Sequence, residues 1–130
     1  MLDIKVTLQR STSLEVERGI PFEKIATRIL GARYELSLVI CGDTLAQRIN
    51  KEHRAKSYRP NVLSFPIDTH EGEIFLNLRC AEREARSMNI SITKRVALLF
   101  VHGCFHLKGL DHGLVMEQKE HTVLKRFMLI

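Results

Sequence analysis

The sequence has little of what marks flexible or repetitive chains. Only 7 of its 130 residues are glycine and 3 are proline, and no segment is of low complexity or repeats another. With 45% hydrophobic residues, such a chain can bury an ordinary core. These features exclude a flexible linker and a repeat architecture, so residues 1–130 are predicted to form a single domain.

Cysteine is also scarce, and its spacing excludes two common uses. The three cysteines, Cys41, Cys80 and Cys104, form no Cys-x-x-Cys pair. A redox couple or a structural zinc knuckle would need such a pair. We therefore expect unpaired, buried thiols in a reducing compartment.

Long apolar runs are absent as well. The longest, residues 96–101, is far too short to cross a bilayer. The first residues, MLDIKV, lack the basic stretch and apolar core of a secretion signal. We expect a soluble cytoplasmic protein with no membrane partner.

Hydrophobic periodicity predicts an α+β (mixed α/β) fold. Apolar and polar residues alternate at positions 2–8, and apolar runs elsewhere are bounded by turn residues, which indicates four strands, the last two antiparallel. Helical spacing predicts about five helices, whereas residues 10–20 show no clear pattern. The expected architecture is a single four-stranded mixed sheet packed with these helices. The predicted strands are 2–8, 34–41, 62–67 (cut off by Pro66) and 73–78, and the predicted helices are 21–30, 44–53 (capped at Gly42-Asp43), 78–88, 93–109 (capped by Thr93 and ended by Gly109) and 115–128.

The segment VHGCFHLKGLDH, residues 101–112, holds three of the six histidines. Four residues advance an α-helix by about 40° beyond one turn, so His102 and His106 share a face. Gly109 can adopt the left-handed conformation that ends a helix, which lets the chain turn back and bring in His112. Three protein ligands with an open fourth position are typical of a catalytic metal site. We therefore predict one divalent transition metal held by these three histidines.

The sequence says less about the roles of the other residues near this site and about the identity of the metal. Cys104 projects about 200° away from His102 around the helix and is expected to pack in the core. Asp111 either orients a ligating imidazole or caps the turn, and the sequence favours neither. Zn²⁺ is the expected ion, although nickel, copper or iron would suit three imidazoles comparably. The remaining histidines, expected to be ordinary side chains, are His53, His70 and His121.

The spacing H-x-x-x-H-x-x-G-x-x-H is also the zinc signature of metzincin proteases. In that signature a glutamate follows the first histidine and acts as general base, whereas this chain has Gly103. An ordinary metzincin is thereby excluded. A zinc-dependent peptidase or amidohydrolase that takes its base from elsewhere stays open.

Positive charge is concentrated in one segment. The chain has a net charge of +5, and five basic or titratable side chains fall within residues 51–59: Lys51, His53, Arg54, Lys56 and Arg59. Such a cluster favours an anionic partner through long-range attraction and counterion release. On its own it would more simply be a solvated surface between two elements.

Two segments match motifs of a known family. HGCFHLKGLDH at 102–112 is similar to H-G-x-x-H-L-x-G-x-D-H, and INKEHRAKSYRPNVLSFPID at 49–68 is similar to a segment that runs from N-x-x-x-R through a basic loop into N/D-V-L-S-F-P. GEI at 72–74 resembles the G-D-I that opens the next strand. These motifs, in this order over roughly two thirds of the chain, resemble the YbeY family of rRNA-processing endoribonucleases.

The resemblance implies a metal-dependent, single-strand-specific endoribonuclease that acts in small-subunit rRNA maturation and ribosome quality control. The implied partners are single-stranded regions of rRNA and the small ribosomal subunit or its factors. Arg54 would face the metal across a cleft, and Lys51, Lys56 and Arg59 would guide the RNA backbone. The residues concerned are His102, His106 and His112 for the metal, Arg54 for catalysis, and Lys51, Arg54, Lys56, Arg59, Ser64 and Phe65 for RNA binding.

A non-catalytic alternative also stays open. In an RNA- or ribosome-binding module the metal would only brace the C-terminal helices, and its fourth coordination position would be closed. For an endoribonuclease, the sequence leaves open whether a water activated by the metal or the RNA 2′-hydroxyl attacks phosphorus. It also leaves open the cleavage sequence, the oligomeric state and the protein partners.

Overall fold

The computed structural model describes residues 2–8 and 11–130, and in these residues it shows an α+β fold with one four-stranded sheet and six helices. The predicted fold class is confirmed. The helix that the sequence did not indicate, α1, lies where the periodicity gave no clear pattern. The elements are β1 (Leu2–Val6), α1 (Ser11–Gly19), α2 (Phe22–Leu30), β2 (Glu35–Cys41), α3 (Asp43–Arg54), β3 (Val62–Asp68), β4 (Glu71–Asn77), α4 (Leu78–Met88), α5 (Ile92–Leu107) and α6 (Leu114–Arg126).

The sheet has the strand order β1-β2-β4-β3. β2 runs parallel to β1 and β4, whereas β3 and β4 form the expected antiparallel hairpin. The Asp68 carboxylate accepts a hydrogen bond from the His70 N–H at 2.8 Å and so tightens the hairpin turn. Pro66 does not end β3 as predicted, because β3 is an edge strand, where a missing N–H donor need not break the ladder. The irregularity appears instead as a register shift between Pro66 and Asp68.

Helix α5 is the centre of the core. It packs against β3 and β4 and against α1, α2, α4 and α6. Gly103 lies where helix and sheet approach closely, since a Cβ there would be 3.0 Å from Ser64 Oγ and 3.2 Å from Ile74 Cδ1. The apolar residues that α5 buries are Val96, Ala97, Leu99, Phe100, Val101, Cys104 and Phe105.

The N-cap of α5 is Ser91, whereas the sequence analysis predicted Thr93. Ser91 Oγ accepts a hydrogen bond from the Lys94 N–H at 3.1 Å, and its backbone is extended as an N-cap requires. Serine and threonine have the same capping chemistry. The prediction of Thr93 was therefore wrong by two residues, although it named a residue of the right capping type.

The cysteines are free thiols, as expected. Cys41 and Cys104 are buried, whereas Cys80 is only partly so. Burial raises the pKa of Cys41 to about 12 and also raises the pKa of Cys104. Neither buried thiol is therefore ionised near neutral pH, and Cys104 packs in the core as predicted.

Among the described residues, no single helix has the length and apolar composition to span a membrane. Helices α4 and α5 meet that test of length and composition only together, as a pair bent by 119°.

Candidate metal centre and cleft

The three predicted ligands converge at the C-terminal end of α5. His102 and His106 lie one turn apart, and their Nε2 atoms are 3.0 Å from each other. Gly109 has a φ of 98°, the left-handed conformation expected there, and the chain turns back so that His112 joins the other two. One ring nitrogen of each histidine lies within 4.8 Å of the others. The three predicted histidines therefore form one group.

Hydrogen bonds orient two of the imidazoles. His106 Nδ1 is 3.1 Å from the Leu110 carbonyl oxygen, which can only accept, so Nδ1 carries the proton. His102 Nδ1 lies 2.6 Å from Oε2 of Glu120, whose side chain is only 9% exposed. A carboxylate or carbonyl at the second nitrogen fixes the tautomer and strengthens the imidazole as a ligand. Both histidines therefore direct an Nε2 lone pair toward the same point.

The pKa of His106 also suits a metal site. Burial lowers the pKa of His106, and the neighbouring His102 and His112 lower it further. A lowered pKa keeps the imidazole neutral, which is the form that ligates a metal. Within the part of the chain that the structure describes, the group has three nitrogen donors and no fourth protein ligand. These residues fit a divalent transition metal with an open coordination position.

Glu120 is a site residue that the sequence analysis missed. It is 7% exposed and lies on the buried side of α6 with Met116, Val123 and Leu124. A carboxylate within an apolar stripe at helical spacing was the signal that could have identified it, because a buried acid needs a partner. His102 is that partner.

Asp111, the orienting residue that the sequence suggested, is exposed. The Nδ1 atoms of His102 and His106 are bonded to Glu120 and Leu110 instead. The charge of Asp111 acts on His106 by partly offsetting the lowering of its pKa. Asp111 therefore orients neither of these two histidines through a hydrogen bond at Nδ1.

A cleft of about 880 Å³ opens beside the histidine group. Three of the predicted RNA-binding residues line it together with the histidines: Arg54, Arg59 and Ser64. The Ser64 hydroxyl donates a hydrogen bond to the Gly103 carbonyl at 3.0 Å, which joins β3 to α5. The structure thus brings the predicted arginine and the predicted metal ligands to one cavity.

The other three predicted RNA-binding residues lie elsewhere. Phe65 does not line the cleft, contrary to the prediction, because its ring packs toward α3 and β4 instead. Its ring contacts His53 and Phe75, with centroid separations of 5.4 and 6.0 Å. Lys51 and Lys56 are exposed outside the lining, where they remain candidates for a basic rim.

Two buried asparagines fasten the segment 55–61, which we term the basic loop. Asn50 is 0% exposed and donates from Nδ2 to the Tyr58 carbonyl at 3.0 Å, while its Oδ1 accepts from Arg54 Nη1 at 3.3 Å. Asn77 is 1% exposed and donates to the Pro60 carbonyl at 3.0 Å. The sequence analysis missed both residues, since their burial depends on the packing of the loop over them.

Asp43, at the start of α3, braces the same region. Its carboxylate accepts two hydrogen bonds from Arg83, at 2.8 and 2.9 Å, and one from Asn77 at 3.0 Å. The bonds from Arg83 are the main reason that the pKa of Asp43 is lowered to about 2. The helix begins at the predicted Gly42-Asp43, but its N-cap Gly42 has no side chain to make a capping bond, and the Asp43 carboxylate ties α3 to α4.

Comparisons with known proteins show the family of the chain. The family model described as Endoribonuclease YbeY matches residues 6–128. A Helicobacter pylori (strain Shi470) protein named Endoribonuclease YbeY is 33% identical, over 94% of this chain and 91% of its own length. The chain belongs to the YbeY endoribonuclease family. Its members are named for a hydrolase activity on RNA, and the resemblance found in the sequence motifs is confirmed.

Other YbeY relatives and a solved structure extend the match. Proteins of the same name from Mycoplasma capricolum and Pseudomonas entomophila are 35% and 30% identical, over 75% and 97% of this chain and 72% and 87% of their own lengths. A solution structure of a Thermotoga maritima protein has a TM-score of 0.68 and covers 98% of this chain and 92% of its own, at 22% identity. At that identity the structural likeness shows the fold alone.

Proposed function

We propose that this YbeY-family protein is a metal-dependent endoribonuclease that cuts single-stranded RNA in the cytoplasm, during small-subunit rRNA maturation and ribosome quality control. The observation that carries the proposal is a single cleft lined by the three histidines and by Arg54. Metal ligands and a guanidinium beside one cavity are two parts that phosphodiester cleavage uses. The name shared by the relatives, Endoribonuclease YbeY, supports RNA as the substrate.

The metal and Arg54 would divide the work between them. A bound divalent ion, for which we propose Zn²⁺, would polarise a phosphoryl oxygen and activate water. Arg54 uses Nη1 to donate to Asn50 Oδ1 at 3.3 Å and to the Tyr58 hydroxyl at 3.1 Å. Within residues 2–8 and 11–130 its Nε and Nη2 make no hydrogen bond, so these donors are available to a phosphate. The fixed positive charge would stabilise the negative charge that develops in the transition state.

The structure gives less support to the two alternatives. A peptidase of the metzincin type would need a glutamate in place of Gly103, where even a Cβ would lie 3.0 Å from Ser64 Oγ. A non-catalytic module would have its fourth coordination position closed. The histidine group instead borders a cavity of about 880 Å³, which leaves room for a substrate beside the ion.

A parallel assay tests the proposal. The metal-loaded protein is given structured rRNA, single-stranded RNA, a matching duplex and casein. We expect internal cuts in single-stranded RNA and in unpaired rRNA segments, with the duplex and the casein largely intact. The double variant His102→Ala, His106→Ala measures contaminating nuclease. Equal RNA degradation by this variant and the wild type would refute the proposal, whereas casein cleavage would favour the peptidase. The chemistry of the product ends distinguishes attack by water from attack by the 2′-hydroxyl.

A further inference from the structure

Tyr58 brings an aromatic ring to the cleft. It is 53% exposed and lines the same cavity as Arg54 and the three histidines. The other tyrosine of the chain, Tyr34, is 7% exposed and belongs to the core. A half-exposed ring contributes little to folding, and its free surface remains available to a ligand.

The position of this ring is fixed by its neighbours. Its own carbonyl accepts from Asn50 Nδ2 at 3.0 Å, and its hydroxyl accepts from Arg54 Nη1 at 3.1 Å. Two residues further on, the Pro60 carbonyl accepts from Asn77 at 3.0 Å. A ring held at its backbone and at its hydroxyl loses little further conformational freedom when a ligand binds. Tyr58 is therefore a preorganised surface and not a mobile side chain of a loop.

We propose that Tyr58 is a stacking platform for an unpaired nucleobase of the RNA whose phosphate Arg54 binds, an inference that rests on the proposed function. The hydrogen bond between the two side chains places an aromatic face beside a phosphate-binding group, which matches the two chemistries of one nucleotide. A base in a duplex is already stacked on its neighbours, whereas an unpaired base can move onto the ring. This subsite would thus supply the preference for single strands. Because every base has a π face, it should discriminate little among base types.

Fluorescence can test stacking without any cleavage. The sequence contains no tryptophan, so Tyr58→Trp would introduce a single indole at the platform. The metal-loaded variant is titrated with adenosine 5′-monophosphate, which has no internucleotide bond to cut, and with ribose 5-phosphate, which lacks the base. We expect the nucleotide to quench the indole emission and the sugar phosphate to leave it unchanged. Equal responses to the two ligands, or no response to the nucleotide, would overturn the proposal.

Two further variants separate stacking from the positioning of Arg54. Tyr58→Phe keeps the ring and removes the hydroxyl, whereas Tyr58→Ala removes both. We expect Tyr58→Ala to raise KM for single-stranded RNA about 5- to 150-fold, the range for the loss of one stacked base. Tyr58→Phe should raise KM much less than Tyr58→Ala, because it keeps the ring and loses only the bond to Arg54, and circular dichroism should show both variants folded. A Tyr58→Phe protein as impaired as Tyr58→Ala would assign the residue to orienting Arg54 and would refute stacking.

Failure of this inference is distinguishable from failure of the proposed function. Base-dependent quenching in a protein that cuts no RNA would retain the nucleobase subsite and refute the endoribonuclease proposal. RNA cleavage by the wild type without base-dependent quenching in the Tyr58→Trp protein would refute the subsite alone.

Discussion

The cleft joins two regions that are held together in different ways. In the metal region, formed by the end of α5, the following turn and α6, the atoms proposed to act are themselves fixed, through His106 to Leu110 and His102 to the buried Glu120. In the RNA region, formed by Arg54 and the basic loop, the side chains proposed to act are exposed. What is anchored there is mainly the backbone of the loop, which accepts hydrogen bonds from the buried side chains of Asn50 and Asn77. A metal requires ligands at fixed distances, whereas an RNA strand requires charges that it can reach. The difference therefore follows the two tasks.

Removal of His106 should break the metal region and have the largest effect. We expect His106→Ala to lose both the metal, about one equivalent per chain in the wild type, and the cleavage activity, because two remaining imidazoles are too few ligands for a stable site. Elemental analysis and an RNA cleavage assay measure the two losses. His121→Ala, which removes an exposed histidine on α6, is the matched control. A His106→Ala protein with wild-type metal content would contradict the ligand assignment.

Removal of Arg54 should affect the RNA region alone. Arg54→Ala is expected to keep the fold and the metal but to slow cleavage by ~10²–10³-fold, as when one donor to a transition-state charge is lost. Arg54→Lys should recover only part of the rate, because an ammonium cannot make the bidentate phosphate contact. The control is Arg48→Ala, an exposed arginine on the same helix that pairs with Glu52. Near wild-type cleavage by Arg54→Ala at saturating RNA would show that Arg54 is a solvated surface residue without a part in catalysis.

A smaller change sharpens the account of the metal region. Glu120→Gln removes the negative charge at His102 Nδ1 while keeping the shape of the side chain. Metal affinity should fall about 10- to 100-fold, since residues that orient a ligating histidine typically contribute that much. Competition with a chelator of known affinity measures this without any activity assay. Glu117→Gln, at an exposed position of the same helix, is the control. Equal affinities in the two variants would show that Glu120 is only a packing residue.

The two regions also differed in how far the sequence could predict them. The metal ligands were accessible because their geometry is local: one helical turn and one glycine with a positive φ bring the three histidines together. Glu120 was not, because its partner is contributed by another helix and a single sequence gives no contact between helices. The helices and strands were predictable for the same local reason, apart from α1, whose segment showed no clear apolar period.

In the RNA region the motif predicted residues that line the cleft but not the residues that support them. Arg54, Arg59 and Ser64 were identified through a motif, and the structure places all three at the cleft. The supports beneath them are polar groups whose partners lie 8 and 17 residues away, Asn50 to Tyr58 and Asn77 to Pro60. Whether such a group is buried depends on tertiary packing and not on local periodicity. The error at Phe65 has the same origin, because its ring packs against His53 of α3 and Phe75 of β4, contacts that the motif does not give.

The smallest expected effect concerns the ion pair that braces the RNA region from outside. The pKa of Asp43 is lowered from 3.8 to about 2 in the folded chain, chiefly by the hydrogen bonds from Arg83. In acid, Asp43 therefore binds protons more readily in the unfolded state than in the folded state. The stabilisation of the fold by ionised Asp43 is fully present above about pH 4 and is lost as the pH falls toward 2. At most about 2.5 kcal/mol is involved, and less in practice because the half-exposed Arg83 is screened by solvent. Urea unfolding of the wild type and Asp43→Asn at pH 6 and at lower pH measures it. The difference between their free energies of unfolding should become smaller as the pH is lowered, and a difference independent of pH would contradict the assignment.

Because Asp43 also binds Asn77, which holds Pro60, Asp43→Asn should also loosen the basic loop. Amide hydrogen exchange at neutral pH should become faster in the basic loop of this variant but not around His102.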